Sequence, residues 1–280
     1  MENSFLSGAA LKAKAKSALV GKYGKYILAS LVVGLITIAV QYAITLMALL
    51  FFSMCIVMGE ALFSGRSMEE IMVLTNDIDY MQPYAVLFSG FNYVLQIGVS
   101  IFTTVFTVGV CLFCLNLACG RELKISDVFY GFRHQMGKSL KLSAVLVLVN
   151  QLCYLPANLV SGLIRIKAPG ILIFVMLLLF IGCSAIYIPI SLSISQMFLL
   201  LLDFPGYKAK ELIKLSAHIM KGHKWRLFCI QLSFLPLMFL SILTLGIGNL
   251  WLTPYMNITY TFFFLNLMQA REATSSIPTY

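Results

Sequence analysis

Five stretches of this chain, 26–59, 84–119, 142–164, 171–202 and 227–268, contain no Asp, Glu, Lys, Arg or His. A helix that crosses the hydrocarbon core of a bilayer, about 30 Å thick, needs about 20 apolar residues. Water-soluble domains do not carry charge-free apolar runs of this length. The chain is therefore expected to be all-α and polytopic, one membrane domain over 1–280. Hydrophobic residues make up 60% of it and charged residues 11%, against about 25% charged in an average soluble domain. The longest polar stretches, 60–83, 120–141 and 203–226, are too short for a separate soluble domain. The same runs limit function. Ion-coupled carriers and pumps bury a carboxylate, His or Lys on their pathway, and the runs offer none.

The run 227–268 is too long for one span. Two glycines flank Ile247 within Thr244–Asn249, which favours a turn there and divides the run into spans near 227–245 and 250–268. Six transmembrane helices are expected. The first two runs are long enough to tilt, bend or project, and Gly34, Gly59, Gly90, Gly98 and Gly109 are candidate bend points. Pro156, Pro189, Pro236 and Pro254 each remove a backbone donor from the remaining spans.

Charge placement sets orientation. Seventeen of the 20 Lys and Arg fall in the N-terminal segment, 120–141, 203–226 and the tail, whereas Arg66, Arg165 and Lys167 stand apart. The 60–83 segment is acidic, with Glu60, Glu69, Glu70, Asp77 and Asp79. By the positive-inside rule, both termini and the two basic connections face the cytoplasm and 60–83 faces out. The net charge of +9 thus marks a membrane surface and not a nucleic-acid partner. Tyr23, Tyr26, Trp225 and Trp251 are expected at headgroup depth.

The cytoplasmic segments read as three interfacial amphipathic helices. In 208–221, Leu212, Leu215 and Ile219 share a face. In 126–136, Ser126 is a candidate cap for a helix aligning Phe129, Phe132 and Met136. The 8–20 segment alternates Lys and Ala more weakly. A repeat emerges: Gly21, Gly137 and Gly222 each precede a basic residue by four, and each stands before an odd-numbered span. The stretches Phe113–Glu122 and Phe263–Glu272 share six of ten residues, and Phe198–Asp203 is a looser version. Three units of helix plus hairpin, 5–122, 123–204 and 205–272, would turn about an axis along the membrane normal.

The opening Leu11–Lys25, the stretch Met220–Phe228 and the stretch Leu243–Tyr255 resemble the DUF975 family of bacterial integral membrane proteins. A looser similarity is to the membrane domain fused to some glycerophosphodiester phosphodiesterases. The resemblance implies a multi-pass protein of the bacterial cytoplasmic membrane. It implies no agreed activity and brings no functional residue.

No catalytic, cofactor or metal site is expected. His134, His218 and His223 lie among Lys and Arg, and no nucleophile triad, phosphate loop or zinc motif is present. Cys111 and Cys114 form a C-x-x-C inside an apolar helix, which reads as a pair of packed thiols. The intramembrane amides Gln41, Asn92, Gln96, Asn150 and Gln196 must face protein or a wet cavity, because an unpaired amide in hydrocarbon costs about 2–7 kcal/mol. They are candidates for a polar path or for interhelical bonds. Candidate contacts to anionic lipid are Lys12, Lys16, Lys22, Lys25, Lys138, Lys141, Lys221, Lys224 and Arg226. The expected role is non-catalytic, through membrane lipids or a membrane-protein partner. The alternative is a transporter or permease for a neutral or amphipathic small molecule.

Overall fold

The computed structural model describes residues 5–75, 78–164 and 170–275. Asp77, Arg165 and Lys167 lie outside them. No strand occurs among the described residues. Five helical stretches there are long and apolar enough to cross a membrane: Tyr23–Phe63, Val86–Ala118, Met136–Asn158, Ile173–Asp203 and Lys224–Leu243. The chain forms two compact units. One runs up to Val32 and resumes at Thr104, and the other is Val33–Thr103.

The helices of the first unit are α1 (Gly8–Leu19), the start of α2 (Tyr23–Phe63), α5 (Phe106–Ala118), α6 (Tyr130–Arg133), α7 (Met136–Ile164), α8 (Gly170–Ile194), α9 (Met197–Asp203), α10 (Ala209–Ile219), α11 (Lys224–Leu232), α12 (Leu235–Leu243) and α13 (Asn249–Ser275). The second unit holds the rest of α2, with α3 (Met68–Thr75) and α4 (Ile78–Thr104).

In the first unit the core is built around α13, which packs against α1, α5, α11 and α12. This helix is not among the five apolar stretches. It carries Asn257, Thr259, Thr261 and Asn266, and the last three are buried. A helix that faces protein on several sides can hold polar groups, because neighbours or its own carbonyls satisfy them. Thr259 and Thr261 donate to the carbonyls of Tyr255 and Asn257, at 2.7 and 2.9 Å.

Three expected spans are broken. The second breaks at Val105, the fourth at Ser195–Gln196 and the fifth at Ser233–Phe234. In hydrocarbon, each carbonyl freed by a break needs a donor. Other elements supply one at the fourth and fifth spans. Ser216 of α10 donates to the Ser193 carbonyl at 2.9 Å. Lys12 of α1 reaches the Ser233 carbonyl at 3.3 Å, and its ammonium lies 4.2 Å from the ring of buried Phe234. Burial lowers the pKa of Lys12.

The glycines fall into different settings. Gly34, Gly59, Gly90 and Gly98 lie within unbroken helices. Gly109 is a point of close approach and no bend: a Cβ there would lie 2.0 Å from the carbonyl oxygen of Val128. Gly21 and Gly222 do mark the turns from α1 to α2 and from α10 to α11, at φ 73° and 86°. Gly137 instead sits inside α7. The turn expected near 246–249 is present, with α12 ending at Leu243 and α13 starting at Asn249.

The segments expected to be interfacial also depart from a surface-lying design. Leu11, Ala15 and Leu19 of α1 are fully buried, and α1 packs on α13 and α5. In α10 the buried stripe is Leu212, Ser216 and Ile219, facing α7, α8 and α9, while Leu215 is half-buried. The 126–136 helix is replaced by a 3-10 turn at Ile125–Phe129 and a single turn of α6. Ser126 is not its cap, and Met136 already belongs to α7. Phe129 and Phe132 pack on Phe106, with ring centroids 5.7 and 4.8 Å away.

In the second unit, Ser67 and Glu70 cap α3 reciprocally. Glu60 pairs with Arg66 at 3.2 Å and accepts from the Tyr84 hydroxyl at 2.8 Å.

Candidate functional site

Gln196 stands at the break between α8 and α9, and only 2% of it is exposed. Its amide nitrogen donates to the Ser195 hydroxyl at 3.0 Å, but its carbonyl oxygen is buried without a protein partner. Such an oxygen costs about 1–3 kcal/mol unless something donates to it. The residue lines a cavity of about 190 Å³ inside the first unit. Four parts of the fold contribute polar walls: Thr107, Cys111 and Cys114 from α5, Ser195 and Gln196 from the break, Gln231 from α11, and Asn257, Tyr260 and Thr261 from α13. No charged side chain lines it.

Helical spacing explains the gathering. Cys111 and Cys114 are three residues apart, and Asn257, Tyr260 and Thr261 are three and four apart, so each set shares a face. A second-layer contact fixes one wall. The Asn257 amide donates to the Tyr26 hydroxyl at 2.7 Å, and the Cys114 thiol lies 3.8 Å from that oxygen. Tyr26, expected at headgroup depth, is 2% exposed and packs edge-on against Phe113. The site offers hydrogen bonds of both kinds and no net charge. It suits a small uncharged molecule carrying N–H or O–H groups. Among the described residues no group of three or more His, Cys, Asp or Glu could hold a metal ion.

Of the five amides singled out from the sequence, Gln196 alone lines this cavity. Gln41 and Gln96 belong to the second unit and satisfy each other: Gln41 donates to Gln96, which donates to Thr45 at 3.1 Å. Asn92 and Asn150 are half-buried elsewhere. The sequence reading took Cys111 and Cys114 as packed thiols and passed over Thr107, Ser195, Tyr260 and Thr261. The C-x-x-C and the i, i+3, i+4 recurrence of polar groups on an otherwise apolar helix were the available signals.

The basic residues divide. Lys16, Lys25, Lys141 and Lys221 are exposed, and Lys22 and Lys224 are half-buried. Lys138 donates to the Pro205 carbonyl. Arg226 turns inward. It donates to the Leu6 carbonyl and, at 2.9 Å, to the side-chain oxygen of Asn266, which also accepts from the Leu6 amide at 3.1 Å. The guanidinium lies over Phe263 at 5.2 Å. This clasp ties the start of the chain to its last helix.

No curated protein and no solved structure matches the chain. A family model described as "Protein of unknown function (DUF975)" matches residues 6–271, nearly its whole length. The chain therefore belongs to the DUF975 family.

Proposed function

We propose that this protein is a non-catalytic, six-span membrane protein that binds a small uncharged molecule in the cavity beside Gln196, as a permease or binding protein would. The supporting observation is a cavity whose largely apolar walls, Val110, Phe198, Leu199 and Leu227 among them, carry uncharged polar groups, next to the buried, unpartnered carbonyl of Gln196. In this reading α13 is the sixth span, shielded from lipid by its neighbours. Both termini face the cytoplasm of a bacterial cell membrane, and the basic connections contact anionic lipid. Cys114 stands four residues before the end of α5 at Ala118, and Gln231 five after Arg226 on α11, about 6 and 8 Å along their helices. The cavity then lies in the cytoplasmic half of the bundle.

Two measurements test this. In stopped-flow swelling of proteoliposomes, glycerol or urea is expected to enter faster than into empty vesicles, and Gln196→Leu is expected to abolish the difference. The same substitution removes an unsatisfied acceptor, so it should leave unfolding stability unchanged or raise it by about 1 kcal/mol. Entry at the empty-vesicle rate for every small polyol and amide tried, with no shift in thermal unfolding by any of them, overturns the reading. For topology, a cysteine-free background with Glu69→Cys should be labelled by an impermeant maleimide from outside, and Lys210→Cys should not. Labelling of Lys210→Cys alone reverses the orientation.

A further inference from the structure

A second cavity, of about 260 Å³, opens on the first unit between the turn that follows α10 and the end of α13. Four nitrogen-bearing side chains line it: His218 from α10, Lys221 and His223 from the turn, and Arg271 from α13. Phe5 and Leu267 form apolar walls. The grouping is not the periodic charge of one helix face. It joins residues some 50 positions apart in sequence, and it depends on Gly222 at φ 86°, which brings Lys221 and His223 around the turn.

No carboxylate is among the described lining residues. Glu211, the acidic residue of α10, is turned to the start of its own helix, where it accepts from the Lys208 amide at 2.8 Å. Behind the wall lies the Arg226 guanidinium, 5.0 Å from the ring of Phe5, and the His223 ring lies 4.8 Å from that same ring. One terminal nitrogen of Arg226 is buried without a partner. The first turn of α11, whose cap His223 makes no side-chain bond to it, adds the positive end of a helix dipole. Like charges gathered in one pocket repel, and an anion entering it removes that cost. Arg, Lys and the N–H groups of His are the donors that recognise phosphate oxygens.

We infer that the pocket formed by His218, Lys221, His223 and Arg271 binds a phosphate-bearing anion, either the headgroup of an anionic phospholipid or a soluble phosphate ester. The site is independent of the Gln196 cavity, and either can fail without the other. Burial, and then the charge of Arg226, lower the pKa of His223. It therefore enters the pocket at neutral pH as an uncharged N–H donor.

The test uses the full chain with Trp251→Phe, so that Trp225, beside the pocket on α11 and 72% exposed, reports binding by fluorescence. One arm titrates glycerol 3-phosphate and inorganic phosphate into protein in phospholipid-free detergent. The other compares nanodiscs of phosphatidylcholine with nanodiscs containing phosphatidylglycerol, and counts retained lipid by native mass spectrometry. Saturable binding is expected in at least one arm, and the arm that responds identifies the source. Lys221→Gln with Arg271→Gln should weaken it about a hundredfold, roughly tenfold for each cation removed. Lys221→Arg with Arg271→Lys should retain it. The charge-matched control Lys210→Gln with Lys214→Gln, at positions of α10 outside the pocket, should change it less than about threefold. Equal loss in the control and pocket variants, or no saturable binding in either arm, overturns the assignment.

Discussion

Gly109→Ala is expected to destabilise the protein by about 3 kcal/mol or more, although alanine is the better helix former. In an open helix position the exchange gains about 0.5–1 kcal/mol. At Gly109 the added methyl would sit 2.0 Å from the Val128 carbonyl oxygen and 2.3 Å from its carbon. The obstacle is backbone, so no rotamer change relieves it, and overpacking of this kind costs about 1–3 kcal/mol or more. The 3-10 turn at 125–129 would be forced off α5. Unfolding in mixed micelles by added SDS gives the measurement. Gly98→Ala, where nothing lies within 4 Å, serves as the control and should be neutral or slightly stabilising. Equal stabilities for the two variants would show that the 125–129 turn does not press on α5.

The second large effect belongs to the clasp. Asn266→Leu removes the acceptor shared by the Leu6 amide and the Arg226 guanidinium. One of these bonds is charge-assisted and worth about 1.5–3 kcal/mol, and the groups left behind are partly buried. A loss of about 2–4 kcal/mol is expected, together with faster hydrogen exchange along α1. In a double-mutant cycle with Arg226→Met, the two losses should fall short of additivity by about 1 kcal/mol or more, because both report the same contact. Strict additivity, with α1 protection unchanged, would mean that the clasp does not hold the N-terminal segment.

Hydropathy revealed what burial in lipid demands and little of what neighbours demand. The charge-free runs marked the apolar helices because lipid contact requires apolar side chains whatever the fold. Gly21, Gly222 and the 244–248 turn were legible because their backbone conformation is local. The breaks at Ser195 and Ser233 were not, since each depends on a distant group that completes the exposed backbone: Ser216 for the fourth span, Lys12 for the fifth. The docking of α1 was hidden for a related reason. Its buried stripe is only Leu11, Ala15 and Leu19, and the lysines between them mask it in any average over the helix. Among the intramembrane amides the sequence put five on an equal footing. Pairing removed Gln41 and Gln96 from contention, and only geometry singled out the acceptor on Gln196.

The clasp also has a consequence for biosynthesis. Leu6 and Asn266 are separated by 260 positions, so α1 leaves the ribosome long before its partner α13. At roughly 5–20 residues per second, α1 waits about 13–52 s for Asn266 to be made. Throughout that interval the apolar stripe of α1 has no final seat, and the Ser233 carbonyl can be sealed only by a segment synthesised long before it. Assembly of the first unit is thus a late event. Shortening the chain before Asn266 would leave its beginning, and not merely its end, without a place to bind.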